Sequence, residues 1–178
     1  MKYTFHILGM THVPTSERYM ACAYTQKVVK LAKMLLDLGH TVYVYGVEGG
    51  DCECTEYISV CSLKLIREVY GEGDNRFELG YDWKSKFFKP NFDPPYNKAT
   101  LKFFEESIKE INKRKKPDDF ILLSMGQQHK RIADAVGLFL TAESGIGYRG
   151  SYARFKCFES SYLQNFTYGW QSQGQSIN

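Results

Sequence analysis

The sequence lacks a run of about 18 apolar residues, the length that a membrane-spanning helix needs. Its N-terminal segment also lacks the apolar h-region of about 7–15 residues that a signal peptide contains. Segment 3–9 is instead typical of a first β-strand. We therefore expect no membrane span and no secretion, and a cytoplasmic location.

An excess of charge of one sign is also absent. Twenty-three Lys and Arg residues stand against 20 Asp and Glu, for a formal net charge of +3. This balance favours neither a polyanion-binding protein nor an acidic tail. The basic segment 113–116 ends an amphipathic stretch, where positive charge suits the helix dipole. We therefore predict no clear nucleic-acid site.

Repeats and low-complexity tracts are missing, and 13 Tyr and 12 Phe argue against disorder. A chain of 178 residues with this composition buries enough apolar surface for one compact domain. We place that domain at residues 1–170 and interpret 171–178 as a polar tail or the start of a linker.

Cysteine is scarce, and five residues are an odd number that does not suit a disulfide framework. Cys52, Cys54 and Cys61 cluster in the sequence, and Cys157 could complete four thiolates. The C-x-C spacing matches zinc knuckles poorly, and no histidine accompanies it. We expect no metal site and interpret these residues as reduced, mostly structural thiols.

Short apolar segments alternate with amphipathic ones along most of the chain. Strands are predicted at 3–9, 41–46, 57–61, 120–124 and 138–143, and helices at 21–38, 99–115, 130–136 and 155–168. The first strand, helix and second strand form a βαβ unit, whose strands are parallel. The pattern predicts a Rossmann-like α/β fold, an open and mostly parallel sheet with helices on both faces.

The segment 71–98 shows neither the helical nor the strand period. It combines glycine and proline with aromatic residues that include Tyr81, Trp83 and Phe88. Two interpretations stay open, a cover over one edge of the core or a binding lid.

Common nucleotide-binding motifs are absent where they would be needed. The loop after the first strand begins Gly9-Met-Thr-His-Val-Pro, with bulky residues in place of the later glycines of G-x-G-x-x-G, and no P-loop occurs. Segment 145–150 does read G-x-G-x-x-G, but it follows the last predicted strand. The sequence therefore gives no support to a dinucleotide site at the first loop.

Candidate chemical groups lie in the loops that follow the strands, where ligands bind in parallel sheets. His12 and His129 are candidates for a general base, or are histidines of the surface or of a first helical turn. Glu143 ends a buried strand, where a carboxylate needs a hydrogen-bonding or charged partner or has a functional role. Arg149 and Arg154 are candidates to neutralise it or to bind an anionic group. His6 and His40 are interpreted as structural.

Two blocks of the sequence resemble a known family. Residues 21–27 (ACAYTQK) with 38–42 (LGHTV) and 45–48 (YGVE) form the first, and 142–148 (AESGIGY) with 151–155 (SYARF) and 158–160 (FES) form the second. Together they resemble the N-terminal half of bacterial and viral glycosyltransferase-like proteins. The resemblance implies a GT-B architecture, in which two Rossmann-like domains face a cleft, usually without a bound metal.

In that architecture the N-terminal domain mainly holds the sugar acceptor, and a C-terminal domain mainly holds the nucleotide-sugar donor. A whole GT-B enzyme needs about twice this length, so the resemblance implies the acceptor-side domain of a hexosyltransferase. Its expected partners are an acceptor, a nucleotide-sugar and a C-terminal domain, with no tightly bound cofactor. The implied candidates for catalysis are His12, His129 and Glu143. The implied substrate contacts are Gly9, Thr11, Thr15, Glu48, Gly126, Gln127, Gly145, Gly147, Arg154 and Trp83.

Two other functions remain open at this point. One is a non-catalytic module that binds a nucleotide or a glycan in the same strand-end crevice. The other is an interaction protein that presents segment 71–98 to a partner.

Overall fold

The computed structural model describes residues 1–70, 94–148 and 151–172, apart from the side chain of Gln171. The predictions for Tyr81, Trp83, Phe88 and Arg149 lie outside the described residues. The same holds for the two interpretations of segment 71–98 over residues 71–93.

Six strands of the described residues form one sheet. They are β1 (Thr4–Leu8), β2 (Thr41–Val47), β3 (Glu56–Cys61), β4 (Phe120–Leu123), β5 (Leu140–Ile146) and β6 (Phe155–Phe158). The order across the sheet is β3-β2-β1-β4-β5-β6, and every neighbouring pair is parallel. The helices are α1 (Ala23–Asp37), α2 (Leu63–Tyr70), α3 (Lys98–Arg114), α4 (Gly126–Val136) and α5 (Ser161–Ser172). The predicted Rossmann-like α/β fold is confirmed.

Helix α1 covers one face of the sheet. Its apolar residues recur at steps of three and four, which places Val28 and Ala32 on one side, packed against Ile7 and Val44. The helix ends before Gly39, whose φ of 82° is a left-handed conformation that suits glycine.

Helices α3 and α4 cover the opposite face. Asn97 caps α3, since its side-chain oxygen accepts a hydrogen bond from the backbone N–H of Thr100 at 2.9 Å. Phe103 of α3 and Ile132 of α4 are fully buried in the cluster that also contains Ile121 of β4. The sheet therefore has helices on both faces, as the sequence predicts.

The C-terminal third departs from the prediction. The predicted helix over 155–168 is wrong in its first part, because Phe155–Phe158 is an edge strand paired with Ala142–Ile146 of β5, and α5 begins only at Ser161. A four-residue segment is too short to carry a period that separates strand from helix. Pairing beside β5 gives its backbone hydrogen-bond partners.

Two further features were not predicted. Helix α2 follows β3 directly, and the connection from β2 to β3, residues 48–55, contains no helix. Strand β5 also continues past Glu143 to Ile146, with an irregular register between these two residues.

The centre of the sheet is a topological switch point. From β1, the strand order runs through β2 to β3 on one side and through β4 to β6 on the other. The loops that leave the carboxyl ends of β1 and β4 therefore turn away from each other and leave a crevice, where open α/β sheets bind ligands.

Candidate functional site

The fold brings most of the predicted site residues to the carboxyl edge of the sheet. The loop after β1 carries Gly9, Thr11, His12 and Thr15, Glu48 follows β2, the start of α4 carries Gly126, Gln127 and His129, and the end of β5 carries Glu143, Gly145 and Gly147. Of these, Glu48, Gln127 and Gly147 are exposed. The residues of the first loop are buried.

The loop after β1 is held by its backbone. The N–H of Gly9 donates to the carbonyl of Tyr45 at 2.8 Å, and the carbonyl of Thr15 accepts from the N–H groups of Asp51 and Cys52 at 3.2 and 3.3 Å. A Cβ on Gly9 would lie 2.5 Å from Oγ1 of Thr15. Glycine is therefore needed for this close approach of the loop to the end of β1.

Tyr57 of β3 holds the loops after β1 and β2 together, a role that was not predicted from the sequence. Its hydroxyl donates to the carbonyl of Val47 at 2.6 Å and accepts from the N–H of Thr15 at 3.4 Å. A Cβ on Gly46 or Gly50 would lie 2.1 or 2.0 Å from atoms of the phenol. Burial raises the pKa of Tyr57, so the hydroxyl stays protonated as a donor.

Glu143 is fully buried, and its carboxylate is saturated by nearby donors. Oε1 accepts from the backbone N–H groups of Tyr152 and Ala153 at 2.6 and 2.7 Å, and Oε2 accepts from the hydroxyl of Tyr148 at 2.9 Å. These bonds hold Tyr148, Tyr152 and Ala153 against β5. The arrangement suits a positioning group better than the predicted general base, which must reach a substrate proton.

The start of α4 is covered by the same groups. A Cβ on Gly126, whose φ is 36°, would lie 2.5 Å from the ring of Tyr148 and 2.7 Å from Oε2 of Glu143. Met125 at the N-cap makes no side-chain bond to the helix. The carboxylate thus lies at the positive end of the helix dipole, where an anionic ligand would have to displace it.

His129 does not suit the predicted role of base. The side chain is 0% exposed, and its ring stacks on Phe103 with centroids 6.4 Å apart and planes at 11°. Burial lowers the pKa of His129 to about 3, partly opposed by the backbone of Gly9. A base for neutral pH needs a pKa near 7 and contact with the reacting hydroxyl.

His12 lies in the loop after β1, at the carboxyl edge where an acceptor hydroxyl would approach. It is 1% exposed, so a substrate could reach it only if this loop moved. Its role as a base stays a prediction.

Gly145 and Gly147 make room for two charged side chains. Lys27 of α1 donates to the carbonyl of Gly145 at 2.9 Å, forms an ion pair with Glu159 and lies 4.8 Å from the ring centroid of Tyr24. A Cβ on Gly145 would lie 3.1 Å from Cδ of Lys27, and one on Gly147 would lie 2.2 Å from a carboxylate oxygen of Glu159. Charged side chains of the chain itself therefore lie beside both glycines, and their contact with a substrate phosphate stays a prediction.

Arg154 directly precedes β6, and its exposed side chain turns toward Phe139, which directly precedes β5. Its guanidinium stands 5.1 Å from the ring centroid of Phe139 and 5.6 Å from that of Phe155. Within the described residues the donors to the carboxylate of Glu143 are Tyr148, Tyr152 and Ala153 rather than the guanidinium of Arg154, and the contact of Arg154 with a substrate or anion stays a prediction.

An open cleft of about 690 Å³ lies at the carboxyl ends of β2 and β3. It is lined by Glu48, Gly49, Leu63, Lys64, Arg67 and Glu68. One carboxylate oxygen of Glu48 accepts from the N–H of Leu63 at 2.9 Å and so caps α2. Two cations and two carboxylates around one cleft suit a polar ligand with many hydroxyl groups.

Two buried hydroxyls mark the crevice near β1. Oγ1 of Thr11 and Oγ1 of Thr25 have no hydrogen-bond partner among the residues that the structure describes. Buried polar groups normally have one. These two atoms are therefore available to a water molecule or a ligand.

The described part of the chain contains no cluster of three His, Cys, Asp or Glu residues that could hold a metal ion. No helix within residues 1–70, 94–148 and 151–172 is both long and apolar enough to cross a membrane. No family model, curated protein or solved structure matches this chain, and the resemblance to glycosyltransferases stays a prediction.

Proposed function

We propose that the chain is the acceptor-binding half of a glycosyltransferase, which holds a glycan at the carboxyl edge of the sheet. The observation that carries this proposal is the cleft beside Glu48. It lies at the edge where α/β sheets bind ligands, and it offers carboxylates and cations to sugar hydroxyls. The carboxylate of Glu48 is suited to accept from a pair of ring hydroxyls, and Arg67 is suited to donate to them.

The positions that would hold a diphosphate argue for a donor site outside the described residues. The start of α4 is covered by Glu143 and Tyr148. The space beside Gly145 in β5 is taken by Lys27, and the space beside Gly147 is taken by Glu159. A diphosphate that binds backbone N–H groups at these places would first have to displace these side chains. This arrangement favours a protein in which this half binds the acceptor and a separate half binds the donor.

The chemistry of the proposed reaction is a single substitution at the anomeric carbon. A bond forms from the acceptor oxygen to that carbon, the bond to the diphosphate breaks, and the hydroxyl proton passes to a base if configuration inverts. His12 is the remaining candidate for that base, since Glu143 is saturated by donors and His129 is buried with a low pKa.

Ligand-observed NMR on this chain tests the binding step. A panel of free oligosaccharides and a panel of UDP- and GDP-sugars are compared at equal concentration. We expect saturation transfer to the oligosaccharides and its loss in Arg67→Ala, while the matched variant Arg131→Ala, which removes an exposed arginine of α4 outside the cleft lining, binds as the wild type does. A lost hydrogen bond to a charged group corresponds to roughly tenfold weaker binding or more. Binding of nucleotide-sugars alone, unaffected by Arg67→Ala, would contradict the proposal.

A non-catalytic glycan-binding module is the second candidate. It is favoured by the surroundings of Glu143 and His129, which suit neither residue as a base. The product of the native gene separates the two functions. Sugar transfer that is lost in His12→Asn with glycan binding retained supports the enzyme, and glycan binding without transfer from any donor tested supports the module.

A further inference from the structure

A second open pocket, of about 310 Å³, lies apart from the cleft beside Glu48. It is formed by the last turn of α4, the residues that lead into β5 and those that lead into β6. Its lining includes Ala133, Asp134, Leu138, Phe139, Tyr152 and Arg154. None of these six described residues lines the cleft of the proposed glycan site. The volume is at the lower end of the range for small-molecule sites.

An exposed aromatic ring forms one wall of this pocket. Phe139 is 65% exposed, although it is a large apolar residue. It is held in place by an edge contact with Phe155, with ring centroids 6.1 Å apart and planes at 79°. The exposed part of the Phe139 ring is therefore available to pack against a flat apolar group.

The guanidinium of Arg154 adds a positive charge beside that ring. It stands 5.1 Å from the ring centroid of Phe139 and 5.6 Å from that of Phe155, so both rings hold it at the pocket. Arg154 takes part in none of the ion pairs that join described residues. Its N–H groups can therefore bind an anion.

The other charges around the pocket are balanced. Oδ2 of Asp134 lies 2.5 Å from Nζ of Lys130, so the second charged residue of the lining already has a counter-ion. At the end of α4, the carbonyl of Val136 accepts from the ammonium of Lys115, which offsets the negative end of the helix dipole. The charge that remains is that of Arg154, and it favours a ligand with one negative charge.

A buried hydroxyl completes the lining. Oη of Tyr152 has no hydrogen-bond partner among the residues that the structure describes, whereas buried polar groups normally have one. Burial raises the pKa of Tyr152, so the hydroxyl stays protonated at neutral pH and can donate. Because Tyr152 lines the pocket, an acceptor atom of a bound ligand would satisfy it.

We propose that this pocket binds a small aromatic carboxylate, with its charged group against Arg154 and its ring against Phe139. The fork of N–H groups on a guanidinium matches the two oxygens of a carboxylate. The hydroxyl of Tyr152 donates to an oxygen of the same ligand. The proposal does not depend on the glycan site, because the two sites share no lining residue among those described.

Benzoate is the probe that tests the proposal, in a titration of the wild-type chain followed by amide chemical shifts in NMR. We expect shifts at residues 137–139 and 152–154. Benzamide has the same shape without the charge and is expected to bind roughly tenfold more weakly, or worse. Cyclohexanecarboxylate keeps the charge but has no flat ring, and is expected to bind about threefold more weakly.

Substitutions give the second readout. Arg154→Gln is expected to weaken the binding of benzoate by roughly tenfold or more, and Tyr152→Phe by about threefold. Arg18→Gln is the matched control. It removes another exposed arginine that lies over a ring, 5.4 Å from the centroid of Tyr19, outside this pocket. We expect it to bind benzoate as the wild type does.

Three results would each overturn the proposal. The first is the absence of shifts at both segments of the wild-type chain. The second is binding of benzamide or of cyclohexanecarboxylate as tight as that of benzoate. The third is equal affinity for benzoate in Arg154→Gln and Arg18→Gln. Both arginines are exposed, so these two variants are expected to fold, and thermal unfolding establishes that they do.

Discussion

The buried imidazole of His129 makes the stability of the fold depend on pH in a defined direction. Its ordinary pKa is 6.5, and burial lowers the pKa of His129 to about 3 in the folded chain. Above pH 6.5 the ring is neutral in both states and the full stability is present. Between pH 6.5 and 3 the unfolded chain binds a proton that the folded chain does not, so stability falls as the pH falls.

The size of the effect follows from the two pKa values. A difference of about 3.5 pH units at 1.36 kcal/mol per unit amounts to about 5 kcal/mol over the whole range. Between pH 6 and pH 4 the loss is about 2.5 kcal/mol, close to the full slope of 1.36 kcal/mol per unit, because over this range the ring is mostly protonated in the unfolded chain and mostly neutral in the folded one.

Urea unfolding of the wild type and of His129→Gln at pH 6, 5 and 4 measures this loss. We expect the stability advantage of the wild type to shrink by about 2.5 kcal/mol between pH 6 and pH 4, since all other titrating groups are common to both chains. Phe103→Leu is the matched control, because it disturbs the same packing but keeps the imidazole. The unfolding free energy of Phe103→Leu is expected to change with pH by the same amount as that of the wild type. If the unfolding free energies of His129→Gln and the wild type change equally between pH 6 and pH 4, the reasoning is refuted.

Four further substitutions probe single contacts. Glu143→Gln weakens the acceptance of two backbone N–H groups, and chemical denaturation is expected to show a loss of about 1.5–3 kcal/mol. Gly50→Ala places a Cβ 2.0 Å from the Tyr57 ring and is expected to lower the melting temperature. Asn97→Ala removes the cap of α3 and is expected to cost about 1 kcal/mol in urea unfolding, whereas Asn97→Asp keeps most of it. Gly169 lies inside α5, and a Cβ added there would have no heavy atom within 4 Å. Gly169→Ala is therefore expected to raise the free energy of unfolding by about 0.8 kcal/mol in urea unfolding.

Local periodicity accounts for the part of the fold that the sequence predicts. The 3.6-residue repeat of α1 and the glycine behind it place that helix within two residues at its start and one at its end. The run at 155–158 lacks such a repeat, and its strand pairing depends on β5, which lies elsewhere in the chain. Helix α2 is only eight residues long, too short for its pattern to stand out beside a strand.

The sequence predicts which loops carry the candidate residues but not the contacts that these residues make. That Glu143 needs a partner follows from its place in a buried strand, and the structure confirms it. The partners are backbone N–H groups nine and ten residues further along, which no spacing rule identifies. The burial of His129 likewise depends on Phe103 of another helix, so residue type alone suggested a base where the surroundings favour a neutral ring.

The parallel order of the sheet has a consequence for the sequence of folding events. Thr4 of β1 pairs with Thr41 across 37 residues of chain, whereas Phe5 pairs with Phe120 across 115. Closing the longer loop costs about 1 kcal/mol more in chain entropy. We therefore expect β1 and β2 to associate early and β4 to join them late. The crevice between the loops after β1 and β4 then forms only in the last step. A partly folded chain would therefore contain the paired strands β1, β2 and β3 but not this crevice.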